Sequence, residues 1–81
     1  MGAWNRADGV TWRLLGQRVL CTRHMGPSAD LTGAAALVWV ALDEPRTRDA
    51  LVQDLAEFGA AAADIDDALR MLAEARLVGA A

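Results

Sequence analysis

The sequence predicts an α+β domain: a three-stranded antiparallel sheet followed by three helices. Three observations predict it. Residues 10–24 alternate apolar and polar side chains around a two-residue turn that begins with glycine. The segments after Thr32 carry capping residues and helical spacing. Only a short Gly/Ala stretch joins the second and third helices, so a helix-turn-helix lies within the helical trio. At 81 residues the chain makes one domain. Its expected extent is residues 10–78, between an N-terminal arm (1–9) and a short tail (79–81).

The hairpin fixes its own register. With Gly16–Gln17 as the turn, Leu15 faces Arg18, Leu14 faces Val19, Trp12 faces Cys21 and Val10 faces Arg23. One face then reads Trp12, Leu14, Val19, Cys21, and the other is mixed. A slip of one residue would destroy that separation. The strands are Val10–Leu15 and Arg18–His24. Gly26–Pro27 is a turn signal. Ser28–Leu31 makes a stubby third strand that depends on its neighbours, because Ala29 and Asp30 favour strands poorly.

Thr32 is placed to cap a first helix, Ala34–Leu42, which is apolar enough that it must be mostly buried. Asp43–Glu44–Pro45 ends it, since proline disfavours helical geometry in the residue before it. Thr47 caps the second helix, with Asp49 in its first turn. Leu51, Leu55 and Phe58 form its apolar stripe, widened by Val52, and Gly59 stops it. Asp64 is expected to cap the third helix, with Asp67 at the capping-box position. In that helix Ile65, Ala68, Leu69 and Leu72 share one arc, with Met71 and Ala75 at its edge. Asp66, Asp67, Arg70 and Glu74 lie opposite.

Composition excludes several functions. Hydrophobic residues make up 54% and charged residues 23%, a globular balance rather than a disordered one. One cysteine permits no internal disulfide, and no apolar run or N-terminal pattern marks a membrane span or secretory signal. A cytoplasmic location follows as the expectation. The net charge of −3 is uneven. Residues 1–28 set four arginines against Asp8, a balance of +3. Residues 29–81 set four against ten acids, a balance of −6.

Catalytic constellations are lacking. His24 stands alone at a strand end and reads as an exposed or capping histidine. Cys21 faces Trp12 and reads as a small core residue. Asp64, Asp66 and Asp67 lack the glycine and glutamate of a calcium loop, and capping with a solvated helix face accounts for them. Trp12 and Trp39 read as core, whereas Trp4 lies in a polar stretch and reads as loosely packed. No phosphate-binding glycine motif occurs. No enzyme activity, cofactor or metal is expected. A helix-turn-helix invites a DNA-binding reading, but the third helix has a net charge of −2 and its N-terminal end is its acidic end. Nucleic acid is therefore not an expected partner.

What remains is a sheet edge. An edge strand leaves main-chain N–H and C=O groups unpaired, and a peptide can add a strand there. Ala68, Met71, Leu72 and Ala75 are placed to line a groove between the short strand and the third helix. Close helix packing is the alternative reading for Ala68 and Ala75.

These residues also form a recognisable pattern. Trp12–Arg13–Leu14–Leu15–Gly16 with Arg18–Val19–Leu20 comes first. Leu31–Thr32–Gly33 with Ala35–Ala36–Leu37–Val38–Trp39 follows, then Glu44–Pro45–Arg46–Thr47 leading into Leu51–Val52 and Leu55–Ala56, and a closing Leu77–Val78. The pattern resembles the PqqD-like peptide chaperones, the recognition elements of ribosomally synthesised, post-translationally modified peptide (RiPP) pathways, over about residues 10–78. The resemblance implies a winged helix-turn-helix without catalytic activity. It implies binding of the leader segment of a precursor peptide, antiparallel to the third strand and against the third helix. It also implies presentation of that precursor to a radical S-adenosylmethionine maturase, a cyclodehydratase or a lasso-type leader peptidase. Carried over, the peptide-binding residues are Ser28, Ala29, Asp30 and Leu31 on the strand and Ala68, Arg70, Met71, Leu72, Ala75 and Arg76 on the helix. Arg70 and Arg76 are suited to pairing with acidic leader residues, and a solvent-facing arginine is the commoner alternative reading. Three positions depart from the family pattern. Ser28–Ala29–Asp30 lacks a large or aromatic residue, Ala68 replaces a larger apolar one, and Arg76 stands where glycine often precedes the terminal Leu–Val. The competing readings are a winged-helix DNA-binding regulator and a subunit whose main role is docking an enzyme.

Overall fold

The computed structural model describes residues 2–23 and 26–81. His24, and with it the end of the second predicted strand, lies outside the described residues. The strands are β1 (Ala3–Arg6), β2 (Val10–Leu15), β3 (Arg18–Arg23), β4 (Ser28–Leu31), β5 (Arg46–Thr47) and β6 (Val78–Ala80). The helices are α1 (Gly33–Ala41), α2 (Arg48–Leu55) and α3 (Ala62–Glu74), with a 3-10 turn over Ala56–Phe58 after α2.

The predicted three-stranded sheet is present, in the order β2–β3–β4 and antiparallel throughout. Its hairpin pairs Leu15 with Arg18, Leu14 with Val19, Trp12 with Cys21 and Val10 with Arg23, the register derived from the turn. Gly16 takes φ +66°, the left-handed conformation that the first turn position requires. Val19, Cys21 and Leu31 point into the core. Helix α1 lies at its centre, contributing Ala35, Ala36, Val38 and Trp39. Leu51 and Leu55 of α2, and Ile65, Ala68, Leu69 and Leu72 of α3, close around it.

A second sheet, in the order β5–β1–β6, has no counterpart in the sequence reading. Ala3 faces Thr47, Trp4 faces both Arg46 and Ala80, and Arg6 faces Val78. The Ala81 N–H donates to the Ala3 carbonyl at 2.8 Å, and the Ala7 N–H donates to Leu77 at 2.8 Å. None of these segments alternates, and β5 has two residues. Pairing across the chain makes them strands, not local propensity.

Helix starts and stops differ in detail. Thr47 Oγ1 accepts from the Ala50 N–H at 3.1 Å, the expected cap of α2. Asp64 does not cap α3. The helix begins at Ala62 with Ala61 as its cap residue, because Ala62 and Ala63 are strong helix formers that extend it backward. Asp64 instead sits in the first turn, where its carboxylate accepts from the Ala61 N–H at 3.2 Å. At the other end, the Arg76 N–H donates to Ala73 and the Leu77 N–H to Leu72, a Schellman closure. That closure puts Arg76 at φ +60°. The glycine that resemblance expects at this position has a physical reason, and this chain does without it.

Burial corrects two further expectations. Trp39 is fully buried, but Trp12 is 38% exposed and Leu14 is 56% exposed, because β2 is an edge strand of its sheet. Phe58, at the end of the α2 stripe, is 63% exposed.

Candidate functional site

Strand β4 forms one edge of its sheet and pairs with β3 alone among the described residues. Which of its main-chain groups face outward follows from the turn. A two-residue loop makes its flanking pair, Leu15 and Arg18, the hydrogen-bonded one, and the pattern alternates from there. Arg18, Leu20 and Thr22 then direct their amides toward β2, while Val19 and Cys21 direct theirs toward Leu31 and Ala29. The outward groups of β4 are therefore those of Ser28 and Asp30. Side chains follow the opposite rule. Ala29 and Leu31 turn inward, half-buried and buried, and Ser28 and Asp30 are exposed on the outer sheet face.

Asp30 is held in place across that face. Arg18 Nε donates to its Oδ1 at 3.1 Å and Arg18 Nη2 to its Oδ2. The hydrogen bonds from Arg18 keep the Asp30 carboxyl below its ordinary range. This bidentate clamp anchors the edge strand without using the outward main-chain groups.

Helix α3 divides the residues expected to bind peptide. Ala68 and Leu72 are buried in the core, and Met71 (47% exposed) and Ala75 border them on one flank. Arg70 sits on the other flank. There it donates to Asp67 at 2.9 Å and lines a separate hollow of about 660 Å³ with Trp4, Arg48, Asp66, Leu69, Ala73 and Glu74. On that wall Arg48 grips Asp66 with bonds of 2.8 and 2.9 Å and holds its carboxyl below the ordinary range. Arg76, at the end of α3, is exposed, and its carbonyl accepts a hydrogen bond from Arg23 Nη2. That bond ties the end of β3 to the end of α3. The structure thus groups Ala68, Met71, Leu72 and Ala75, and it separates Arg70 from them.

One functional-looking arrangement escapes sequence reading. Arg6, on β1, donates from Nε to the Trp39 carbonyl at 2.9 Å and from Nη2 to Val40 at 3.2 Å. Its guanidinium stacks 4.6 Å from the Trp12 ring centre and 5.1 Å from that of Trp39. The two indoles meet edge to face at 6.3 Å. Arg46 adds a bond to the Ala41 carbonyl. Helix α1 has no basic residue in its last turn, so the distant Arg6 and the nearby Arg46 satisfy its final carbonyls. The role is structural, and no sequence signal marks it. Burial draws the Arg6 pKa down and pushes the Cys21 thiol up. Trp39 Nε1 is buried without a hydrogen-bond partner among the described residues. Among the described residues, no three His, Cys, Asp or Glu side chains converge as metal ligands, and no helix is long and apolar enough to cross a membrane.

No curated protein and no solved structure shows significant similarity to the chain. A family model, coenzyme PQQ synthesis protein D, matches residues 24–78. The match spans β4, all three helices and the start of β6, the part of the fold that holds the open edge and α3. It covers more than half of the chain, and the chain belongs to the PqqD family.

Proposed function

We propose that this protein is a non-catalytic peptide chaperone that binds the leader segment of a ribosomally made precursor and presents it to a modifying enzyme or leader peptidase. Membership of the PqqD family supports a peptide-binding accessory role in the synthesis of coenzyme PQQ or related peptide products. The observation that carries the finer reading is the edge of β4. The outward main-chain groups of Ser28 and Asp30 offer a ladder for one more strand. Alternate side chains of that strand would fall on the inner side of the sheet, toward the exposed Met71 and Ala75 flank of α3. Methionine suits such a surface because it adapts to varied partners. The arrangement is a variant of the winged helix-turn-helix in which the sheet edge, not the acidic third helix, engages the ligand. A radical S-adenosylmethionine maturase, a cyclodehydratase and a lasso-type peptidase are the candidate enzymes, all acting in the cytoplasm.

Fluorescence anisotropy with a labelled leader peptide encoded beside this chain tests the reading. Binding tighter than about 100 μM, roughly −5.5 kcal/mol, is expected. Asp30→Pro removes an outward N–H at an edge position that tolerates proline, so it should abolish binding while preserving the fold. Asp30→Ala breaks only the contact with Arg18 and should still bind. Equal affinity for both variants would falsify strand addition at β4.

A further inference from the structure

Helix α1 runs from Gly33 to Ala41 without one charged, amide or hydroxyl side chain. A helix that is apolar all round belongs in an interior. Only one side of α1 is covered. Ala35, Ala36, Val38 and Trp39 are buried, but Val40 is 43% exposed and Leu37 and Ala41 are half-buried. The open side, Gly33, Leu37, Val40 and Ala41, with the buried Ala36 between them, forms the floor of a groove of about 680 Å³. Leu14 and Gln17 of the hairpin flank it on one part, and Leu55, Glu57 and Phe58 on another. Phe58 and Leu14 are the two most exposed large apolar residues of the domain among those described. Exposed apolar surface gathered in one groove with a polar rim marks an interaction site.

The rim has a sign. Asp54 and Glu57 line it, and Arg46 is the one basic residue in the lining. Arg46 is already engaged by Asp43 at 3.2 Å, Asp54 at 3.4 Å and Glu44 at 3.9 Å. Glu57 makes no ion pair among the described residues. A second copy docked by twofold symmetry would set this acidic rim against itself, which disfavours that occupant.

We propose that this groove docks a helix of a partner protein, with an apolar stripe against α1 and a flanking lysine or arginine side chain against Glu57. The floor supports a helix rather than a strand. Gly33, Ala36, Leu37 and Val40 recur at helical spacing and present the ridges against which a second helix packs. Gly33 and Ala36 are small and allow close approach. None of Ser28–Leu31 and no α3 residue lines the groove. A peptide on β4 and a helix on α1 therefore occupy separate surfaces, and the proposal stands or falls independently of leader binding.

The probe is a synthetic amphipathic helix of leucine and lysine, with a leucine–glutamate peptide as its control, titrated into the 15N-labelled full chain. The lysine peptide should shift the amides of Leu37, Val40 and Phe58 saturably, and the glutamate peptide should not. Phe58→Ser should weaken binding about tenfold, as loss of an aromatic anchor does. Glu57→Arg should weaken it about fivefold. Both sites are exposed, and circular dichroism checks that each variant folds. The proposal is overturned by equal binding of the two peptides, by shifts confined to β4 and α3, or by variants that bind as well as the parent. A concentration-dependent dimer that Phe58→Ser abolishes would assign the groove to a second copy and overturn it as well.

Discussion

Replacing Arg6 by alanine tests the claim that an arginine outside the predicted sheet holds the domain together. The side chain makes a partly buried, charge-assisted hydrogen bond to the Trp39 carbonyl and a more exposed one to Val40. Bonds of the first kind contribute about 1.5–3 kcal/mol. The stacking on Trp12 and Trp39 adds about 0.5–1 kcal/mol. The expected loss is thus roughly 2–4 kcal/mol, with the Val40 bond adding little because water replaces it. A domain of this length holds only about 4–12 kcal/mol in total. The melting temperature should fall on the order of 10–30 °C. Urea denaturation followed by tryptophan fluorescence measures this directly, since the guanidinium lies against two of the three indoles. Arg6→Lys should recover part of the stacking but not the paired bonds to α1, and so fall between the two. A loss below about 0.5 kcal/mol for Arg6→Ala would refute the reasoning and reduce this arginine to a surface group.

Two more perturbations follow from the backbone and the charges. Arg76→Gly should stabilise the fold by up to about 1 kcal/mol, because the left-handed conformation at φ +60° costs a non-glycine residue about 1–2 kcal/mol and glycine's larger unfolded-state entropy returns part of it. Thermal denaturation beside Arg76→Ala, which keeps the strain, separates the two causes. Asp30 and Asp66 are held below the ordinary carboxylate value of 3.8 by hydrogen bonds from Arg18 and Arg48. Below that value the unfolded chain binds more protons than the native one, so the stability these groups contribute is present above it and lost as pH falls through their lower native values. Urea midpoints across that acid range should decline less steeply in an Asp30→Asn, Asp66→Asn double variant, and an unchanged slope would discard the assignment.

Local chemistry made much of the fold legible. Gly16–Gln17 with alternation on both sides set the hairpin register, and Thr47 marked the start of α2, because a turn or a cap is decided by residues within reach of one another. The α3 start was misplaced by three residues, since Asp64 can serve either as a cap or in the first turn and only the helicity of Ala62 and Ala63 separates these. The β5–β1–β6 sheet was invisible, as pairing between Trp4, Arg46 and Ala80 leaves no trace in any short window. At the candidate site, the stubby edge strand and the Met71–Ala75 flank could be read in advance. Helical spacing already places Arg70 opposite the apolar arc, but its hollow with Trp4 depends on β1 and leaves no sign in the sequence. The α1 side facing the groove was expected to be covered, because apolar character alone does not distinguish a buried face from one awaiting a cover.

Strand β1 has a consequence for the order in which the molecule assembles. Its partners lie some forty and seventy residues further along the chain, at Arg46–Thr47 and Val78–Ala80. The hairpin and β4 join neighbours in sequence and close small loops, whereas β1 waits for the longest loop in the domain. On a ribosome, β1 emerges before both of its partners and is then among the last elements to find its place. The pairing of β1 with β6 can form only after the helices have brought Val78 alongside Arg6.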